Sequence, residues 1–328
     1  MNHGGNVWIS GDPSEWLDFS ANLRPEGPPL WVLEAYHAAA ETLRFYPDPE
    51  MKRVRKGLAS FLGVPEECVL PTAGGTEAID LSLSVTDGTV FIKSPSFGEY
   101  AARAAVRGRK VAEWNGRCGS GDSLVLSNPC NPTGSAKSRE ELLSLHDRIQ
   151  ADGGQLIIDE AFIEFCPEYS LTDHAGPGLM ILGSLSKILG VPGIRLGYIC
   201  ASPEIIARLQ RQMLPWSPDA AATGIAAQLP EHTDLVRQDA VLNRQRRIAF
   251  SAMLQNLGAE VYPSESNFLL ADFHRDMSSA VNALARRKIL VRTCADFGLP
   301  GSFWRLAVKT EAENQYLTEI LEEILHAR

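Results

Sequence analysis

The chain is expected to fold as an α/β protein, with a large domain around a mostly parallel sheet and a smaller α+β domain beside it. Two patterns predict this. Between Val69 and Cys200, short apolar runs alternate with segments of helical spacing, as buried parallel strands joined by crossover helices do. Beyond about Ala201 the texture changes to long helices, then to a closing stretch of short strands and helices. The expected divisions are residues 1–44 as an arm and helix belonging to the small domain, 45–235 as the large domain, and 236–328 as the C-terminal small domain.

The elements follow in order. The first stretch is rich in Pro, Gly and Trp: an irregular arm carrying Asp18-Phe-Ser-Ala-Asn22, then a helix over residues 30–43. Arg44-Phe-Tyr-Pro-Asp-Pro49 is a connector, because a residue before proline is pushed out of the helical region. Met51, Val54, Leu58, Phe61 and Leu62 recur at helical spacing, and Gly63 stops that helix. Val69-Leu70 begins the alternation and leads into Thr72-Ala-Gly-Gly-Thr-Glu77 and a helix over 78–85. Strands are expected at 90–92, 124–126, 156–158, 179–183 and 197–200, with helices over 97–107 and 139–150. The later helices cover 203–212, 220–229 and 235–257. The closing unit has strands at 259–262, 268–271, 289–292 and 304–308, with helices over 278–287 and 311–326. Arg244, Arg246 and Arg247 on the long helix read as a solvated face with compensating acids.

Composition excludes several classes. Of 328 residues, 45% are apolar and 22% charged, which is ordinary for a soluble globular protein. The net charge is −9 and no basic run exists, so neither nucleic acid nor an anionic membrane is expected as a partner. The N-terminus lacks a signal pattern and no apolar run reaches spanning length. The six cysteines are scattered without a C-x-x-C pair, and the seven histidines show no ligand spacing. A cytoplasmic protein with reduced thiols and no metal is expected.

The chemistry centres on Ser184-Leu-Ser-Lys187, at the end of the apolar run Leu179-Met-Ile-Leu-Gly183, with Arg195 in Gly193-Ile-Arg-Leu-Gly197. A desolvated lysine has a depressed pKa and attacks aldehydes, while hydroxyls and a guanidinium suit a phosphate monoester. Aldehyde plus phosphate describes pyridoxal phosphate. The turn Thr72-Ala-Gly-Gly-Thr-Glu77 at a helix start offers backbone N–H groups and the Thr76 hydroxyl to a phosphate. Asp159 follows a purely apolar strand, so its carboxylate is expected to be buried and to need a cation. A pyridinium nitrogen is one such cation; capping a loop is the other reading. Asn131, in Asn-Pro-Thr-Gly, either donates its amide to the ring hydroxylate or shapes a turn. Phe97, after Ser94-Pro-Ser, stacks on the ring or serves the core.

Taken in series, Gly-Gly-Thr-Glu, Asn-Pro-x-Gly, Asp-Glu-Ala and Ser-x-Ser-Lys with Gly-x-Arg-x-Gly resemble the fold-type I pyridoxal-phosphate enzymes. More narrowly they resemble the class I/II aminotransferase superfamily, histidinol-phosphate branch, from about residue 18 to the C-terminus. The resemblance implies the fold of the pyridoxal-phosphate-dependent transferases. It implies Lys187 as the covalent attachment point and proton carrier, Asp159 on the pyridine nitrogen, Asn131 on O3′ and Phe97 stacked on the ring. Gly75, Thr76, Ser184, Ser186 and Arg195 would hold the cofactor phosphate, and Tyr46 would reach the phosphate of a neighbouring subunit in a homodimer. Arg305 would bind the substrate α-carboxylate and Arg292 a phosphate at the far end of a small phosphorylated amino-acid substrate.

Within that branch, His3-Gly-Gly-Asn6 and Leu17-Asp-Phe-Ser-Ala-Asn22 resemble the start of the L-threonine-O-3-phosphate decarboxylases of cobalamin biosynthesis. This adds His3 and Asn22 to the implied substrate-binding set. Phe162 points the same way, since histidinol-phosphate enzymes tend to have tyrosine there. The expected reaction is decarboxylation of threonine phosphate to (R)-1-amino-2-propanol O-phosphate. A histidinol-phosphate or related aminotransferase is the first alternative, and a non-catalytic binding protein of the same fold the second.

Overall fold

The computed structural model describes residues 4–326. A seven-stranded sheet organises the large domain, in the spatial order Val69–Thr72, Gly197–Cys200, Leu179–Ser184, Gln155–Asp159, Ser123–Ser127, Val90–Ile92, Val111–Glu113. All neighbours pair in parallel except Gly197–Cys200, which runs antiparallel to both of its partners. The central strands are buried along their length, which is why they read as unbroken apolar runs. Helices pack against the sheet, among them Arg139–Ala151. Its start carries a capping box: Ser138 Oγ accepts from the Glu141 N–H, and the Glu141 carboxylate accepts from the Ser138 N–H.

The strand Val111–Glu113 was not expected from the sequence. It lies at the sheet edge with its ends exposed, so it carries no apolar run to reveal it.

The smaller unit has its own core, built from Phe250, Leu254, Leu269, Ala271, Trp304, Leu306, Leu317 and Leu321 around an antiparallel sheet. The stretch expected as one strand over 289–292 divides at Val291. Ile289–Leu290 pairs in parallel with Leu17–Asp18 of the arm, and Arg292–Thr293 pairs with Phe303–Ala307. The helix Thr233–Asn256 joins the halves: Val236 packs in the large core and Phe250 in the small one.

Two expectations are corrected. The arm strand Leu17–Asp18 does join the small unit, but the helix Leu30–Ala39 does not. Trp31, Val32 and Ala35 are buried in the large core, where the helix lies against Ala220–Gln228. The cause is that the helix presents Trp31, Val32, Ala35 and Ala39 at helical spacing to the large domain. Nor is the arginine face of the long helix uniformly solvated. Arg247 is buried, donating to the Ser266 carbonyl at 3.0 Å and pairing with Glu265 at 2.7 Å, while Arg246 pairs with Glu26. Among the described residues no helix is long and apolar enough to cross a membrane, and no cluster of three metal-ligating side chains exists.

Candidate active site

The sheet brings the chemistry-bearing residues to one edge. In register, Ser127 lies beside Asp159, and both Thr72 and Ser184 lie opposite Gly197. Turns and helix starts therefore follow the strands at the same end, where ligands of α/β folds gather.

Around the helix Gly75–Ser84 the backbone is crowded by intention. Gly74 has φ +83°, and a Cβ there would stand 2.5 Å from Arg195 Nη2. A Cβ at Gly75 already has one atom's room, 3.3 Å from Ser184 Cβ. Ser184 Oγ and Ser186 Oγ are 2.9 Å apart and buried. Thr76 follows Gly75 in the first turn of the helix. Among the described residues Arg195 has no carboxylate in salt-bridge contact. Free N–H groups of a helix start, two hydroxyls and a guanidinium bonded only to the Pro192 carbonyl at 3.3 Å converge, a donor set that fits a phosphate monoester.

Asp159 is buried, and its oxygens accept from Tyr100 Oη at 2.7 Å and from the Ala161 N–H at 3.0 Å. No cation makes a salt bridge to it among the described residues, and desolvation raises its pKa. A buried carboxylate awaiting a cation fits the protonated nitrogen of a pyridine ring. Tyr100 was missed in the sequence, although it stands one helical turn after Phe97, with the two rings edge-on at 5.8 Å. Burial and the Asp159 charge push its hydroxyl well above the usual range, so it stays a donor.

Lys187 keeps part of its surface open, yet desolvation, with help from Arg195 and Arg305, lowers its amine from 10.5 to about 8. At neutral pH a useful fraction is the neutral nucleophile. The arm crosses this loop: the Arg24 N–H donates to the Lys187 carbonyl at 3.0 Å, and Gly27 lies so close to Gly190 that a Cβ there would meet it at 2.8 Å.

The small unit supplies the remaining charges. Arg292 and Arg305 lie directly opposite each other on paired strands, and both are buried. Arg305 donates to Asn131 Oδ1 at 2.8 Å and to the Ser20 carbonyl at 2.7 Å, which ties strand, loop and arm together. Its Nε has no partner, nor has Asn22 Oδ1, also buried. Burial and the neighbouring Arg292 lower the Arg305 guanidinium to about 10. Arg292 pairs with Asp296. Thus Asn131, Arg305 and the arm come together, with Arg292 beside them. Phe162 packs edge-on against Phe268 at 5.1 Å. Tyr46 stands apart: it is 78% exposed and stacks on Trp216 with centroids 4.6 Å apart. His3 lies outside the described residues, but Gly5 N–H donates to Ser20 Oγ at 2.7 Å, so the arm leads toward the Arg305 site.

The model of the family described as aminotransferase class I and II matches residues 14–321. The threonine-phosphate decarboxylase of Salmonella typhimurium is 31% identical over 354 aligned residues, spanning 98% of this chain and 96% of that protein. The histidinol-phosphate aminotransferase of Symbiobacterium thermophilum is also 31% identical, over 94% and 90% of the two chains. Among solved structures, the histidinol-phosphate aminotransferase of Clostridium acetobutylicum superposes with a TM-score of 0.86 at 26% identity, over 94% of this chain and 99% of that one. The L-threonine-O-3-phosphate decarboxylase of Porphyromonas gingivalis gives 0.84 at 25%, over 94% and 98%. Pyridoxal phosphate is the cofactor of the family and of this chain. In sequence, in fold and in the donor set around Lys187, the chain belongs to the class I and II aminotransferase family.

Proposed function

We propose that the protein decarboxylates L-threonine O-3-phosphate to (R)-1-amino-2-propanol O-phosphate, a reaction of corrinoid biosynthesis. The observation that carries this reading is the pair of buried arginines, Arg292 and Arg305, side by side on adjacent strands. Two like charges buried together are costly unless anions meet them. Threonine phosphate brings two anions, a carboxylate and a phosphate. Histidinol phosphate, the substrate of the alternative reading, carries only its phosphate, although the 2-oxoglutarate of that reaction would bring two carboxylates to the same pair. The similarity of the N-terminal arm to threonine-phosphate decarboxylases supports the same choice, with His3 helping to hold the phosphate and Asn22 among the substrate-binding residues.

In this reading the phosphate of the cofactor is held by Gly75, Thr76, Ser184, Ser186 and Arg195, its ring by Phe97, Asn131 and Asp159, and its carbonyl carbon by Lys187. Pyridoxal phosphate supplies a carbonyl that captures the substrate amine and a protonated ring that accepts the electrons of a bond broken at Cα. Asp159, steadied by Tyr100, keeps the proton on the ring nitrogen. Arg305 holds the carboxylate and Arg292 the distal phosphate. These two anchors would fix rotation about the Cα bonds and so select which of them is broken. Selecting Cα–COO⁻ would favour release of CO₂, and selecting Cα–H would favour transamination. Lys187 would be the group that returns a proton to Cα.

The active unit in this reading is a homodimer. Phe45 and Tyr46 line a hollow of about 310 Å³, and Leu33, Tyr36, Leu43 and Trp216 are, like them, exposed. So many exposed apolar side chains mark a surface for association, and Tyr46 would reach across it to the second site.

Incubation with threonine phosphate should release CO₂ without any keto acid. Consumption of 2-oxoglutarate with histidinol phosphate, faster than this release, would replace the decarboxylase by the aminotransferase. Arg292→Ala should lower kcat/KM for threonine phosphate roughly tenfold to a hundredfold, as expected for a charge-assisted contact, and should cost unphosphorylated threonine little.

A further inference from the structure

The guanidinium assigned to the distal phosphate is already covered. Asp296, four residues on in the Ala295–Phe297 turn, pairs with Arg292 through Oδ2 and Nη2. The ring of Phe297 lies 5.4 Å from the guanidinium carbon. The partners are unequal: the Arg292 side chain is 7% exposed and that of Asp296 40%. Asp296 can therefore swing into water at little cost, whereas Arg292 cannot follow it. On the opposite strand Arg305 is held by neutral acceptors, Asn131 Oδ1 and the Ser20 carbonyl. Among the described residues Asp296 is thus the one carboxylate in salt-bridge contact with either arginine.

We propose that Asp296 is an exchangeable counter-anion: it covers Arg292 while the distal site is empty, yields to the substrate phosphate, and returns as the phosphorylated product leaves. The inference rests on the assignment of Arg292 to that phosphate. Three consequences follow from charge alone. The pair reduces the repulsion between two buried guanidiniums in the free enzyme. It weakens phosphate binding, because an incoming phosphate competes with an anion tethered at high local concentration. Substrate and product carry the same phosphate, so the same competition speeds product release. Asp296 is a positioning residue and takes no part in bond making.

The test is calorimetric titration of the holoenzyme, cofactor in place on Lys187, with inorganic phosphate. Asp296→Asn and, as a second variant without an amide, Asp296→Ser should bind phosphate roughly fivefold to fiftyfold more tightly than the parent, the range expected for removing a charge-assisted competitor. KM for threonine phosphate should fall in parallel while kcat stays level or drops. Thermal unfolding should start lower in both variants without phosphate and rise more than in the parent when it is added. Arg292→Ala should abolish phosphate binding in every background. If it does, and both Asp296 variants bind phosphate no better than the parent, the exchange is overturned. If phosphate binding survives Arg292→Ala, it is the distal-phosphate assignment itself that falls.

Discussion

The two ends of the site that the proposed reading assigns to anions are built in different ways. The cofactor-phosphate end is made from turns at one end of one sheet: Gly74 and Gly75 after Val69–Thr72, Ser184 and Ser186 at the end of Leu179–Ser184, Arg195 just before the antiparallel Gly197–Cys200. Its donors are backbone N–H groups, hydroxyls and one exposed guanidinium, so no charge is buried to make it. The substrate end is made from segments far apart in the chain. Arg292 and Arg305 come from the small unit, Asn131 from a large-domain loop and Ser20 from the arm, and both arginines are buried. A sheet-borne cradle is rigid and serves any chemistry that uses the cofactor. In the proposed reading the buried, composite end would decide what is bound and which bond breaks, and it is tied to the arm through Ser20.

That contrast can be broken at its centre first. Lys187→Ala should cut turnover by roughly a thousandfold or more, because the nucleophile and the proton carrier vanish together. The cradle should still hold the cofactor non-covalently, which an absorbance titration would read. Near-normal turnover would remove the assignment of Lys187. Mixing this variant with Tyr46→Phe subunits should recover part of the lost activity through hybrid dimers with one intact site; no recovery would place each site within a single subunit.

Asp159→Asn should keep the fold and cofactor binding but lower the rate about a hundredfold or more, since an amide cannot hold the ring proton by charge. A loss below tenfold in single-turnover assays would reduce Asp159 to a loop cap.

Gly74→Ala sharpens the comparison, because it strains one end only. The left-handed backbone and the closeness of Arg195 make a side chain there costly, on the order of 1–2 kcal/mol. Cofactor affinity should fall about tenfold by that energy. With cofactor saturating, KM for threonine phosphate should hardly move. An equal effect on both would show that the two ends are mechanically one.

The smallest effect lies outside both ends. Glu164, in the turn Ile163–Phe165 against the long helix, is buried with neither oxygen hydrogen-bonded, and desolvation raises it from 4.5 to about 8. The unfolded chain releases this proton at lower pH than the folded one, so stability falls as pH rises from about 4.5 toward about 8. Glu164→Gln should flatten that decline and raise Tm by a few degrees at the alkaline end. An unchanged pH profile in thermal scans would show Glu164 to be ionised and paired.

How much of this was legible in the chain depends on distance along it. The apolar runs of Gln155–Asp159 and Leu179–Ser184, the Gly63 stop after Lys52–Leu62, the glycine turn before Gly75–Ser84 and the placing of Lys187 and Asp159 at strand ends were readable, because burial and turn geometry impose local patterns on residue type. The resemblance of the motifs carried the family. Other features had no local signature. The Tyr100 hydroxyl reaches Asp159 across 59 residues, and Arg305 reaches Asn131 across 174. Gly197–Cys200 looks like every other apolar strand, yet it runs the opposite way; Leu30–Ala39 could have covered either core. Arg247 sits beside exposed Arg244 and half-buried Arg246 but is itself buried on Glu265. Residue type along the chain determined which segments are buried, where they turn and which side chains carry chemistry. Only the tertiary structure decided which of those side chains face each other, since a partner is chosen by the packing of whole elements and not by the residues that flank it.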